Sequence, residues 1–118
     1  MPVLLVALGG ALGAVARYLV ATAFARRLGA AWPWGTLFIN LSGSFLIAVL
    51  AARLTSPNLR WFLPVGFVGA YTTFSTFEFE TLTLVETSAW IRAFANAFGS
   101  LLAGFLSVWL GVVLARIL

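Results

Sequence analysis

Four long apolar stretches, separated by short polar segments, dominate the pattern of residues along the chain. They cover residues 3–25, 36–52, 62–85 and 93–114, and most of the arginines lie in or beside the short segments between them. A membrane-spanning helix needs about 20 mostly apolar residues. The pattern therefore predicts an all-α membrane protein, with four transmembrane helices in a single domain over residues 1–118.

The third stretch is interrupted by residues that disfavour a regular helix. Pro64, Gly66 and Gly69 precede the hydroxyl-rich sequence YTTFST. Glycine costs a helix about 1 kcal/mol relative to alanine, and Ser and Thr compete for backbone hydrogen bonds. One interpretation is a break near residues 69–73, which is tolerated at membrane depth only where it is buried in protein or lines a cavity. The other is a glycine-kinked helix whose hydroxyls bond the carbonyls one turn back.

Composition strengthens the membrane interpretation and argues against other classes of protein. The chain is 63% hydrophobic and only 8% charged, whereas soluble domains carry about 25% charged residues. It has no His and no Cys, which removes the commonest general base and the commonest zinc ligands. We therefore do not expect an enzyme. Nucleic-acid binding is not expected either, because the net charge of +4 comes from dispersed arginines without a basic run.

The arginines show no bias between the two sides of the membrane. Four spans put both termini on one side. The side that holds the termini carries Arg53, Arg60 and Arg116. The opposite side carries Arg26, Arg27 and Arg92. Lys/Arg bias between loops normally sets orientation, so this balance predicts none. Either a partner or an unrecognised signal sets the orientation, or the protein inserts both ways and pairs as an antiparallel homodimer.

Several polar side chains lie at membrane depth, where they usually face the protein interior or a water-filled path. Arg17 either snorkels to the interface or attracts anions to a vestibule. Asn40 either bonds a neighbouring helix or offers an amide N–H to a passing anion. Asn96 and Ser100 form a thin polar stripe on the fourth span, for which interhelical hydrogen bonds are the simpler explanation.

Two phenylalanines of the third stretch share one helical face. Phe74 and Phe77 are three residues apart, with Ser75 and Thr76 between them. The rings either fill space in the membrane or present their electropositive edges to an anion path, with the hydroxyls as additional donors.

The polar groups of the spans are mostly hydrogen-bond donors. The three carboxylates, Glu78, Glu80 and Glu86, fall toward the end of the third stretch. A four-span cation or multidrug exporter would need a carboxylate deep in a span, and the first span has none. The inventory therefore favours a small anion, although it does not identify one.

Three sequence blocks carry a resemblance to a known family. They are GGALGAVARY at Gly9–Tyr18, GTLFINLSGSF at Gly35–Phe45 and GFVGAYTTFSTF at Gly66–Phe77. With these blocks, its length and its four spans, the chain resembles the CrcB, or Fluc, family of small fluoride channels. It departs from the family at Ala48, where a glycine is expected, and the fourth span matches only through its polar stripe.

The resemblance implies an antiparallel, dual-topology homodimer in the plasma membrane (the inner membrane of a two-membrane cell). It would export F⁻ passively and protect the cell from fluoride. It further implies the following sites: fluoride pores lined by Asn40, Phe74, Phe77, Ser75, Thr76 and Ser100, a vestibule near Arg17, and a structural Na⁺ on the backbone carbonyls of Gly69 and Thr72. The alternatives are a small cation or multidrug exporter, or an accessory membrane subunit, which would need no stripe of donors.

Overall fold

The computed structural model describes all 118 residues as helices and connecting segments, without strands. In chain order the elements are α1 (Pro2–Leu28), α2 (Trp34–Arg53), α3 (Pro57–Arg60), a π-helix (Trp61–Val68), α4 (Gly69–Tyr71), α5 (Phe74–Glu86) and α6 (Trp90–Ile117). Helices α1, α2 and α6 are each long and apolar enough to cross a membrane. The long axis of 48 Å is close to the full bilayer thickness of about 40–45 Å. The all-α membrane fold is therefore confirmed.

The predicted third span is divided among several helical pieces. It begins at Ser56, whose hydroxyl accepts a hydrogen bond from the Leu59 N–H, and continues helically over residues 57–71. Pro64 lies inside the π-helix, where it has no N–H to donate to the helical ladder. The backbone then becomes extended at Thr72 and Thr73. The break falls inside the interval of residues 69–73 that the sequence indicated.

Helix α1 packs against the π-helix and α4 through glycines. Gly9, Gly13 and Gly66 are buried. A Cβ atom on Gly66 would lie only 2.8 Å from the carbonyl oxygen of Val6, so no side chain fits between the two backbones. Small residues allow this close approach in membrane proteins, and here they hold the first half of the broken segment against α1.

Helix α2 packs against α6. Ala48 and Gly111 are both buried at this contact, and a Cβ on Gly111 would lie 2.8 Å from the Ala48 methyl. The methyl of Ala48, the departure from the expected glycine, thus occupies space that Gly111 leaves open. At the C-terminal ends of the two helices, Arg53 Nη1 donates to the Ala115 carbonyl across 3.5 Å. Arg53 and Arg116 therefore lie at the same end of the molecule.

The single chain has very little interior. Only 14 of its 118 residues are buried, and large apolar side chains such as Phe94, Leu102 and Phe105 of α6 are about two-thirds exposed. Exposed apolar area on this scale must be covered by lipid or by another protein chain.

Candidate functional site

The break between α4 and α5 releases backbone carbonyls from helical hydrogen bonding. In a regular helix each carbonyl accepts from the N–H four residues later. Here the Thr73 N–H donates to Asn40 Oδ1 at 2.8 Å, and the Thr76 N–H donates to Thr73 Oγ1 at 3.2 Å. The carbonyls of Gly69 and Thr72 thus lose the donors that a continuous helix would provide. No backbone hydrogen bond joins α4 to α5.

Asn40 binds the break with both ends of its side-chain amide. Its Nδ2 donates to the Thr73 carbonyl at 3.0 Å, while its Oδ1 accepts from the same residue's N–H. A side-chain amide has two N–H groups, so one donor is left over, and Asn40 lines an open groove beside the break. The interhelical bond that the sequence suggested for Asn40 is present, and a further donor remains.

Helix α2 also supports the two residues before Thr73. The Tyr71 hydroxyl and the Ser42 hydroxyl lie 3.0 Å apart, and the Thr72 methyl packs directly over Gly43. Thr72 Oγ1 donates to the Val68 carbonyl at 3.0 Å, which is the back-bonding expected of a kinked helix. This back-bond marks the end of α4, because the next residues are extended.

The groove beside the break has a volume of about 730 Å³ and is walled by α2, the break, α5 and α6. Among the residues assigned to the pore from the sequence, Asn40, Phe74, Phe77 and Ser100 line it together. The Phe74 and Phe77 ring centroids are 5.9 Å apart with the planes tilted by 40°, so the two rings share one face as their spacing predicts. Phe74 is 71% exposed, and the groove is open on that side.

Ser75 and Thr76, which the resemblance assigned to the pore, lie outside this groove. Thr73 is the N-cap of α5, and its hydroxyl donates to Thr76 Oγ1 at 3.0 Å. The Ser75 hydroxyl is exposed and 3.5 Å from Thr73 Oγ1. In the single chain these hydroxyls therefore serve the start of α5.

Arg17 lies in a second, smaller cavity of about 290 Å³. The polar residues around it are Tyr18, Thr36, Thr73 and Thr76. Arg17 is half-buried and close to hydroxyls, so the cavity carries a positive charge at its wall. Thr73 lines both cavities.

Glu80 points inward from α5, a feature that sequence reasoning missed. Its carboxylate accepts a hydrogen bond from the Thr36 hydroxyl of α2, whereas Glu78 is exposed. From the sequence, both carboxylates fall toward the end of the third apolar stretch, and nothing distinguishes them. The spacing of four between Thr36 and Asn40 shows that the two residues share one face of α2, but not that this face meets Glu80.

The polar stripe of α6 forms a hydrogen-bonded chain to α5. Asn96 is only 2% exposed, and its Nδ2 donates to Thr81 Oγ1 at 2.8 Å. The Ser100 hydroxyl in turn donates to Asn96 Oδ1 at 3.3 Å. The interhelical explanation is confirmed for Asn96, whereas the bond of Ser100 lies within α6 and Ser100 also lines the groove.

Comparison with known proteins gave consistent matches. The sequence model of the family described as "CrcB-like protein, Camphor Resistance (CrcB)" matches residues 4–112. A protein of Acidobacterium capsulatum is 50% identical over 98% of this chain and 97% of its own length. Proteins of Solibacter usitatus and Magnetococcus marinus are each 46% identical, covering 98% and 100% of this chain and 99% and 100% of their own lengths. All three are named fluoride-specific ion channel FluC.

Proposed function

The chain belongs to the CrcB family, and on that premise we propose that it is a fluoride-selective ion channel through which F⁻ leaves the cytoplasm passively. The observation that carries this proposal is identity of 46% or more, over nearly the whole chain, to proteins named fluoride-specific ion channels. The protein is accordingly a channel and not an enzyme. Passive export would protect the cell from fluoride.

The groove beside the break has the chemistry that a fluoride path requires. Conduction needs sites that bind well enough for the ion to enter and weakly enough for it to leave. The free N–H of Asn40 and the rings of Phe74 and Phe77 supply donors of moderate strength. No charged residue lines the groove, so an anion would meet no arginine that could hold it tightly.

Pairing of two chains is supported by the surfaces that a single chain leaves exposed. The groove is open where Phe74 is exposed, α6 presents an apolar face, and few residues are buried. Residues 57–86 would form the third of four spans in spite of the break, since the extended backbone would then be enclosed by protein. The even distribution of arginines favours an antiparallel homodimer with two grooves in the plasma membrane.

A structural Na⁺ at the break is supported by the carbonyls that the break releases. Hard cations bind oxygen ligands, and the Gly69 and Thr72 carbonyls have lost their helical donors to Asn40 and Thr73. Gly69 is exposed in the single chain, so its carbonyl could be shared between two chains. A bound cation would satisfy carbonyls that are costly to leave unpaired at membrane depth.

Arg17 and Thr76 fit a role before the groove rather than within it, because both line the second cavity and neither lines the groove. The positive wall of the second cavity would raise the local concentration of F⁻. Thr73 and Thr76 border that cavity, so hydroxyls follow the arginine along the way to the groove.

The test is ion efflux from liposomes that contain the purified protein. We expect rapid F⁻ efflux, measured with a fluoride electrode, and no Cl⁻ efflux above that of protein-free liposomes. Absence of F⁻ flux, or equal Cl⁻ flux, contradicts the proposal. An exporter coupled to protons would instead respond to a pH gradient; α1 has no carboxylate to carry such coupling.

A further inference from the structure

Asn40 lines the groove proposed for F⁻ and also hydrogen-bonds the break proposed to hold Na⁺. The Thr73 N–H donates to Asn40 Oδ1. In a continuous helix the same N–H would donate to the Gly69 carbonyl. We propose that Asn40 is a positioning residue for the cation site: by holding Thr73, it keeps the Gly69 carbonyl free to bind Na⁺. The inference rests on the sodium site proposed above.

The physical reason is competition for backbone hydrogen bonds where water is scarce. At membrane depth an unpaired backbone group costs several kcal/mol, so Thr73 and Gly69 would otherwise satisfy each other by extending the helix. Asn40 gives Thr73 both an acceptor at 2.8 Å and a donor at 3.0 Å. Thr73 is then fully satisfied in an extended conformation, and the Gly69 carbonyl is left for a cation.

The other contacts of α2 with the break do not have this effect. Ser42 bonds the Tyr71 hydroxyl, and Gly43 receives the Thr72 methyl. Both contacts hold side chains and take no backbone donor away from a carbonyl. Ser44, one turn after Asn40, lines the same groove without a hydrogen bond to the break, which makes it the matched control position.

The experiment measures Na⁺ binding separately from F⁻ conduction. Purified full-length protein in detergent is heated at increasing NaCl, with N-methyl-D-glucamine chloride replacing it at constant ionic strength. The variants are Asn40→Ala, Asn40→Asp and Ser44→Ala. We expect the wild-type and Ser44→Ala unfolding midpoints to rise with Na⁺. In Asn40→Ala the Thr73 N–H is free to compete with the cation for the Gly69 carbonyl, which should raise the half-maximal Na⁺ concentration about tenfold.

Asn40→Asp separates the two roles of the side chain. A carboxylate still accepts the Thr73 N–H but has no N–H to donate. We therefore expect Asn40→Asp to keep its Na⁺ response while losing F⁻ flux in liposomes. If Asn40→Ala does not fold, the Na⁺ response of Asn40→Asp still tests whether Asn40 positions the cation site.

Two results would overturn the inference: a folded Asn40→Ala protein with the wild-type Na⁺ response, or a folded Asn40→Asp protein without one. A wild-type protein that shows no Na⁺ response would instead remove the sodium site itself. The fluoride proposal would survive that result, because liposome efflux tests it independently.

Discussion

Because α1 packs closely against the π-helix, we predict that a glycine-to-alanine substitution in α1 destabilises the protein, although helix propensity alone predicts stabilisation. Alanine is a better helix former than glycine by about 1 kcal/mol, so Gly13→Ala should stabilise α1 on propensity alone. However, a Cβ on Gly13 would overlap the Phe67 carbonyl oxygen and lie 2.9 Å from its carbonyl carbon. Carbon atoms pack at about 3.5–4.0 Å, so the two backbones would have to separate by more than about 0.5 Å.

The magnitude follows from the nature of the obstacle. Overpacking in a well-packed interior typically costs about 1–3 kcal/mol, and here the clashing atoms are backbone, which cannot rotate away. We therefore expect Gly13→Ala to lower the free energy of unfolding by about 1–3 kcal/mol, in spite of the gain in helix propensity. Gly10 on the same helix provides the control, because its nearest contact would be an ordinary 3.8 Å.

The assay is thermal unfolding of both purified variants in the same detergent, with size-exclusion chromatography to confirm that each is monodisperse. Gly10→Ala should unfold at or above the wild-type midpoint and Gly13→Ala clearly below it. If Gly13→Ala is as stable as Gly10→Ala, the close backbone contact of α1 with the π-helix does not exist as described, and the packing argument is refuted.

Three further predictions concern the pore, the polar stripe and the topology. Phe77→Ile keeps apolar volume but loses the ring edge, so F⁻ efflux from liposomes should fall about tenfold while the unfolding midpoint changes little; normal efflux would remove Phe77 from the pore. Asn96→Leu removes the donor to Thr81 Oγ1 and the acceptor of the Ser100 hydroxyl, so the free energy of unfolding, measured by thermal unfolding, should fall by about 1–3 kcal/mol; unchanged stability would mean that these hydrogen bonds contribute nothing. Reporters fused to the C-terminus should be found on both sides of the membrane, and detection on one side alone would contradict dual topology.

Much of the candidate site could be predicted because it depends on local spacing. Phe74 and Phe77 share a face since they are three residues apart on a helix, and their rings meet at 5.9 Å. The interruption of the third stretch was visible in Gly69 and the hydroxyls that follow it. The donors were recognised as such because few acceptors accompany them in the spans.

The partners of those donors could not be predicted. Asn40 bonds Thr73 across 33 positions of sequence, and Asn96 bonds Thr81 across the turn between α5 and α6. A spacing of four shows which residues share a face of one helix, but not which neighbouring helix that face meets. For the same reason the sequence could not show that the Thr73 hydroxyl bonds Thr76 at the start of α5, or that Ser75 and Thr76 lie outside the groove.

By itself, the sequence determined the class of the protein, the extent of its apolar segments and the interval in which the third helix is interrupted or kinked. These follow from the length of apolar runs and from the local preferences of glycine, proline and hydroxyl residues. Only the tertiary structure decided which backbone groups the break leaves free, because that depends on Asn40 reaching Thr73 from another helix. It also decided that Glu80 turns inward to Thr36 while Glu78 does not. The rotation of each helix about its axis is set by the packing of its neighbours, here glycine against backbone, and no local pattern encodes it.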